Sequence, residues 1–394
     1  MTDLLLKVFV KDTADMKNAS ARASVGMLSG AVGIVCNILL FALKLFIGTV
    51  AGSVSVTADA MNNLSDATSS IVTLIGFRLA KMPADEDHPY GHARYEYLSG
   101  LAVAAMIIVI GFELAKTSVG KIIEPSAVEL SVPACIALVG SVAVKLWLCI
   151  FNRKLGKTIS SSALLATSAD SRNDAVATTA VLLAGITELV FHIQIDGFMG
   201  LLVALFILYS GVTLAKDTIS PLLGENASPE LKELIIGVMR TCPEVLGYHD
   251  LMVHDYGPGQ RFASIHVEMD HKADPLYCHE LIDTLERNCL EEHNIHLVIH
   301  YDPVVTGDEE LDRLRHIVTE LLRAQDDRIS IHDFRMVKGE KQTNLIFDIA
   351  LPSDLMPKRK EVKSKLDSCL AVIDDMTYYT VVDFDMVAFN EDLH

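Results

Sequence analysis

The first 217 residues carry their apolar positions in long runs; beyond them, apolar and polar positions alternate over short distances. A bilayer-spanning helix needs about 20 mostly apolar residues. Six stretches meet that requirement: residues 27–50, 54–80, 98–119, 132–151, 162–191 and 197–215. The remainder reads differently. Ala263, Ile265 and Val267 alternate with polar neighbours at the period of two expected of a half-buried strand, and Pro-Gly marks a hairpin just before them. "YHDLMVHDYGPGQRFASIHVEMD" is echoed by "IHDFRMVKGEKQTNLIFDIALP", and "VIHYD" by "VVDFD". His249 and His332 stand 83 residues apart, as do Asp302 and Asp385. Each copy predicts helix, strand, turn, strand, helix, strand, so two small α+β modules in tandem are expected.

Composition sharpens this division. Of the 394 residues, 51% are hydrophobic and 21% charged, too apolar for a pair of soluble domains. Residues 1–217 carry a net charge of −1 and the rest −17, nearly all of the total −18. An acidic tail excludes nucleic acid as a partner, which would call for a basic patch, and suits a domain that handles cations. Seven scattered cysteines (36, 135, 149, 242, 278, 289, 369) without a CxxC pair form neither a disulfide framework nor a thiolate metal site. The N-terminus lacks a secretory apolar core with a cleavage site, which points to a prokaryotic inner membrane.

Basic residues gather before the first stretch (Lys7, Lys11, Lys17, Arg22), after the second (Arg78, Lys81, Arg94) and after the fourth (Arg153, Lys154, Lys157). The positive-inside rule then puts both termini in the cytoplasm. Domain boundaries are expected at 1–25 (cytosolic segment), 26–217 (six-helix membrane domain), 218–306 and 307–394 (the two modules).

The second and fifth stretches are unusually polar for a membrane. "TADAMNNLSDATSS" puts Asn62 and Asp66 about 12 and 18 Å along its helix, one turn apart on a shared face. "TSADSRNDAVAT" repeats the device with Asp170 and Asp174. If the two antiparallel helices pack together, Asn62 is expected level with Asp174, and Asp66 with Asp170. Carboxylates are costly in lipid and repel one another unless protons or a cation neutralise them, so a divalent cation site is the economical account. Its donors are hard oxygens, which suit Mn²⁺ or Fe²⁺ better than Zn²⁺. Asp59 could extend the ion path, and Asn63 could replace or assist Asn62. Lys44, Glu113, Lys145 and Arg172 are read as pairing with partners, snorkelling or shaping the cavity.

Together "ADAMNNLSDA", "DEDHPYGHARYEYLSG", "SADSRNDA" and "HDLMV…IHVEMD…VIHYDP" resemble the cation diffusion facilitator family over residues 20–306. The resemblance implies a polytopic α-helical membrane protein with six transmembrane helices, followed by ferredoxin-like cytosolic α+β structure, here in tandem. It implies a homodimer that exports divalent metal from the cytoplasm in exchange for protons, with no required cofactor. Zinc-transporting members place at least one His in the quartet that here reads Asn62, Asp66, Asp170 and Asp174, so this chain resembles the manganese branch. Asp85, His88 and His92 match a loop metal position of some zinc members. His249, His266, His279, His300 and Asp302 match a cytosolic metal cluster at the dimer interface, a candidate regulatory site. The second module keeps His332, has Asp383 and Asp385 in place of His300 and Asp302, and shows Asn and Phe on the strand matching that of His266. It is therefore expected to bind no cluster and to serve assembly or sensing.

The expected function is Mn²⁺/H⁺ antiport by alternating access, with Fe²⁺, or a broader Zn²⁺/Co²⁺ range, as the alternative cargo. No nucleotide loop, HExxH or GxSxG motif suggests an enzyme, and no pore-loop signal suggests a channel. A membrane-tethered metal sensor is the rival from another class.

Overall fold

The structure, a computed structural model, describes residues 19–51, 54–124, 132–191, 193, 195–339, 342–373 and 376–386. Lys7, Lys11, Lys17 and most of the expected N-terminal cytosolic segment lie outside the described residues. The chain divides near Glu225 into a helical unit and an α+β unit.

All six expected spans are helices: α1 (Ala19–Ala51), α2 (Val54–Ala80), α3 (Tyr95–Ile123), α4 (Val132–Thr158), α5 (Ser162–Phe191) and α6 (Asp196–Leu223). Among the described residues, α1, α3, α4 and α6 are apolar enough to cross a membrane on composition alone. The other two, α2 and α5, fall short because one face of each is polar. Asn63, Asp66, Ser69, Ser70 and Thr73 are buried on α2, and Thr167, Ser168, Asp170, Ser171 and Asn173 on α5. A helix whose polar stripe is covered by protein and whose other residues are apolar satisfies both lipid and carboxylate.

The helices pack chiefly as α1 on α2, α3 on α6 and α4 on α5. Close approach of α1 to α2 depends on small residues: a Cβ added at Gly30 would stand 2.7 Å from the Leu74 Cβ and 3.1 Å from the Leu74 backbone nitrogen. At one end of the bundle the buried Arg22 guanidinium donates to Glu96 of α3 at 3.1 Å and also to the Ile159 carbonyl just past α4, tying three elements with one charge. Helix α6 ends at Gly224, whose left-handed backbone (φ 87°) needs no Cβ.

The α+β unit holds two modules built alike. The first is α7 (Pro229–Met239), β1 (Gly247–Asp255), β2 (Arg261–Asp270), α8 (Pro275–His293) and β3 (Ile295–Val304). The second is α9 (Glu309–Arg323), β4 (Ser330–Lys338), β5 (Gln342–Leu351), a short 3₁₀ turn at Met356–Lys358, α10 (Arg359–Leu370) and β6 (Thr377–Met386). In each three-stranded sheet the second strand is central and runs parallel to the third. Local chemistry sets the boundaries: Asp274 accepts from the Leu276 and Tyr277 amides at 3.0 and 3.1 Å, with Pro275 at the first helical position, and Asp308 caps α9 in the same way. Each module has its own core, around Ile235, Ile265 and Val267 in the first and Leu314, Phe347 and Leu366 in the second. The tandem repeat is thus two packed units, as the 83-residue echo predicts.

Candidate metal sites

Asp66 on α2 and Asp174 on α5 point at the same atom. The Lys145 ammonium of α4 lies 2.6 Å from Asp66 Oδ2 and 2.6 Å from Asp174 Oδ2, and the lysine is 3% exposed. Asp170, one turn from Asp174 on the same face, is buried beside Ser69 and close enough to feel both other carboxylates and Lys145. Three carboxylates therefore converge on one internal cation. Of the roles open to Lys145 from sequence, the structure selects pairing, and the pairing is with the site itself. Its sequence signal is a lone Lys amid the apolar residues of the fourth span.

The register of the two helices differs from expectation. Thr73 and Thr167 share a hydrogen bond at 2.9 Å, and Asp66 meets Asp174 through Lys145. Both pairings place α2 one turn further along α5 than the expected match of Asp66 with Asp170. The reason is that Lys145, absent from a two-helix argument, gathers the nearest carboxylate from each helix. Asn62 falls a turn beyond Asp174 and is exposed, whereas Asn63 is buried on the stripe with Asp66. Asn63 is thus the asparagine inside the bundle, and Asn62 is not brought into the cluster. The Asp59 side chain lies outside the described part of the structure.

The loop trio does come together. His88 donates its amide to Asp85 Oδ1 at 2.7 Å, its ring Nδ1 stands 3.2 Å from the same oxygen, and His92 Nε2 is 3.5 Å from Asp85 Oδ2. That amide bond, foremost, holds the Asp85 carboxyl below its usual range. The Nδ1 of His92, a buried ring, is 2.9 Å from the Pro83 carbonyl, which leaves Nε2 aimed at the trio. Two imidazoles and a carboxylate could hold a cation here, or order the loop without one.

In the first cytosolic module, His249, His266 and Asp302 offer ligand atoms within 4.8 Å of one another. His266 Nδ1 is 2.9 Å from Asp302 Oδ2, His249 Nε2 is 3.5 Å from it, and the more exposed His300 reaches Asp302 Oδ1 at 3.4 Å. Burial works against a charged His249, but hydrogen bonds to Asp250 and Asp302 and the charges of Asp250 and Asp333 push it up to about 10. Asp302 is held below the ordinary carboxylate value because its bonds to His249 and His266 outweigh its burial. His279 is exposed on α8 and belongs to no such group among the described residues.

The second module corrects its expectation. His266 pairs across its sheet with His300, and Asp348 with Asp383. Since Asp383 repeats His300, Asp348 and not Asn or Phe occupies the place of His266. A shorter connection between the first two strands of the second copy shifts β5 against the 83-residue echo, which hid the match. The module therefore presents His332, Asp348, Asp383 and Asp385 where the first presents His249, His266, His300 and Asp302. Burial and the neighbouring carboxylates push Asp348 up to about 6, and burial with the His249 charge pushes His332 down to about 4.

The sequence of both units matches known proteins. Residues 31–223 match the cation efflux transmembrane domain, and residues 227–304 the cytoplasmic domain of cation efflux proteins. An uncharacterized transporter of Methanocaldococcus jannaschii is 30% identical over 260 residues, 66% of this chain and 91% of that protein. The manganese efflux system protein MneS of Bacillus subtilis is 29% identical over 285 residues, 70% of this chain and 95% of its own. The cation-efflux pump FieF of Shigella flexneri is 28% identical over 267 residues, 67% and 88% respectively. The chain belongs to the cation diffusion facilitator family and is a membrane-embedded divalent cation efflux transporter, not an enzyme.

Proposed function

We propose that the chain exports Mn²⁺ from the cytoplasm in exchange for protons, working as a homodimer in a prokaryotic inner membrane with both termini inside. The observation that carries this reading is the convergence of Asp66, Asp170 and Asp174 on one buried cationic position within the bundle. These donors are hard oxygens with no imidazole or thiolate among them, the set that favours Mn²⁺ over Zn²⁺. Similarity to a manganese efflux protein supports the same cargo. Fe²⁺ shares the chemistry and is the second cargo.

Charge counting suggests how exchange works. Three ionised carboxylates and the Lys145 ammonium leave a deficit of two positive charges, which one divalent cation or two protons fill. Metal and proton then compete for the same oxygens, which is the coupling an antiporter requires. In the resting arrangement Lys145 holds Asp66 and Asp174 together. Cargo entering from the cytoplasm takes over these carboxylates, and a rocking of the helices opens the site to the other side, where protons displace the metal.

Purified protein in vesicles under an imposed pH gradient tests the proposal. Gradient-driven Mn²⁺ flux, faster than Zn²⁺ flux and lost in Asp174→Ala, is the expected result. Dominant Zn²⁺ flux would show that oxygen donors do not set selectivity here. No flux of any metal, with metal still bound to the soluble unit, would turn the reading to a sensor.

A further inference from the structure

The two modules of the α+β unit meet through equivalent residues. His249 and His332, repeats of each other, stack with ring centroids 4.3 Å apart. The residues that follow them, Asp250 and Asp333, share a left-handed backbone, at φ 53° and 56°. Asp250 Oδ1 lies 3.9 Å from His332 Nε2, and Asp333 in return acts electrostatically on His249. His249 thus faces its own repeat and each aspartate the other module's histidine, the reciprocal pattern of an isologous dimer interface, but here within one chain.

What this interface lacks is a hydrogen-bond partner for the ring of His332. His332 is 6% exposed, and neither of its ring nitrogens is hydrogen-bonded among the described residues. Nε2 of His249, also buried, has the Asp302 carboxylate at 3.5 Å but no well-formed hydrogen bond. Buried polar atoms of this kind are normally satisfied, and exceptions call for an explanation such as an ion. Carboxylates of its own module stand around His332 beyond hydrogen-bond distance: Asp385 at 3.6 Å from Nε2 and Asp348 at 3.9 Å from Nδ1. Ligand atoms of His332, Asp348 and Asp385 lie within 4.8 Å of one another, and so do those of His249, Asp250 and His332. Carboxylates crowded around imidazoles, with their nitrogens open, is the arrangement a cation would complete.

We infer that the two modules of one chain together enclose a binding site for divalent transition-metal cations, to which the second module contributes His332, Asp348 and Asp385. His249 and Asp250 face them from the first module. Mixed nitrogen and oxygen donors select a transition metal over Mg²⁺ or Ca²⁺, which take oxygen alone. Because ligands come from both modules, the cation clamps the modules together, and the site is complete without a second chain. The second module is then a partner supplied in cis. The inference does not depend on the transport reading, since none of these residues belongs to the bundle.

The test uses the full chain carrying Asp66→Asn, Asp174→Asn and Asp85→Ala, so that neither the bundle nor the loop trio contributes. Mn²⁺ is titrated in excess Mg²⁺, and free Mn²⁺ is followed by its electron paramagnetic resonance signal. Mn²⁺ is expected to remain bound, and His332→Ala to weaken that binding roughly tenfold or more. The same Mn²⁺ should raise the thermal midpoint of the parent and not of the His332→Ala chain, each compared with its own metal-free midpoint. Asp348→Asn and Asp385→Asn carry the same test with smaller changes of shape, should His332→Ala fail to fold. Unchanged Mn²⁺ binding in the folded second-module variants, or no Mn²⁺ binding outside the bundle and loop, would overturn the inference.

Discussion

The bundle and the α+β unit solve one problem, crowded carboxylates, with different counter-charges. In the bundle Asp66, Asp170 and Asp174 gather around a lysine, whose ammonium is a compact point charge with three donors and no acceptor. Between the modules the acids gather around His249, His266 and His332, which can give up a proton and offer nitrogen to a metal. The first arrangement suits a cargo that must enter and leave against a resident cation. The second suits a ligand that stays. On the surface of the second module the same pairing recurs in water, where Arg328 bridges Asp326 at 2.8 Å and Asp354 at 3.0 Å. Burial falls along this series, and so should the consequence of removing one partner.

The largest effect is expected at Lys145. Lys145→Met leaves buried carboxylates without their cation, a loss of about 3–5 kcal/mol for a broken buried pair. The thermal midpoint of the metal-free protein should fall clearly and Mn²⁺ should restore it. A midpoint that does not move would mean that Lys145 is not the counter-charge. Next, Asp66→Asn should cut gradient-driven Mn²⁺ transport by roughly 100-fold, the top of the 10–100-fold range typical of a supporting residue. Transport that survives would detach the cluster from the cargo path.

Asp174→His would bring the bundle closer to the donor chemistry of the modules. The ratio of Zn²⁺ to Mn²⁺ transport should rise on the order of tenfold, equivalent to about 1.4 kcal/mol of discrimination. An unchanged ratio would place selectivity elsewhere. The smallest effect belongs to the exposed pair. Hydrogen bonds from Arg328, together with its charge, pull Asp326 down to about 2. Its contribution is therefore present above about pH 4, the unfolded value, and is lost as pH falls through about 2. Asp326→Asn should cost a small amount of stability near neutrality and flatten the acid limb of the unfolding curve by that same amount, as hydrogen exchange in the second module can show. A large loss at neutral pH would contradict the ranking by burial.

Much of the architecture was legible because its signals are local. Six apolar runs, the period-two alternation of Ala263, Ile265 and Val267, and the Asp274-Pro275 and Asp308 caps each encode an element in consecutive residues. The membrane acids were legible for a different reason: Asp66, Asp170 and Asp174 are so costly in lipid that their presence alone announces a site. Less was readable where a third element intervenes. Nothing in α2 and α5 discloses that Lys145 of α4 sets their register, or that Asn63 rather than Asn62 turns inward.

The sequence by itself determined the membrane division, the two-fold repeat of the soluble unit and the oxygen character of the carboxylate cluster in the bundle, since each depends on residue type and spacing along one chain. Tertiary structure decided which carboxylate meets which, and that Asp348 stands in for His266 despite a shortened hairpin. It also turned the face of His332 toward His249. Those are contacts between distant segments, set by packing and by the balance of buried charge, and no local pattern records them.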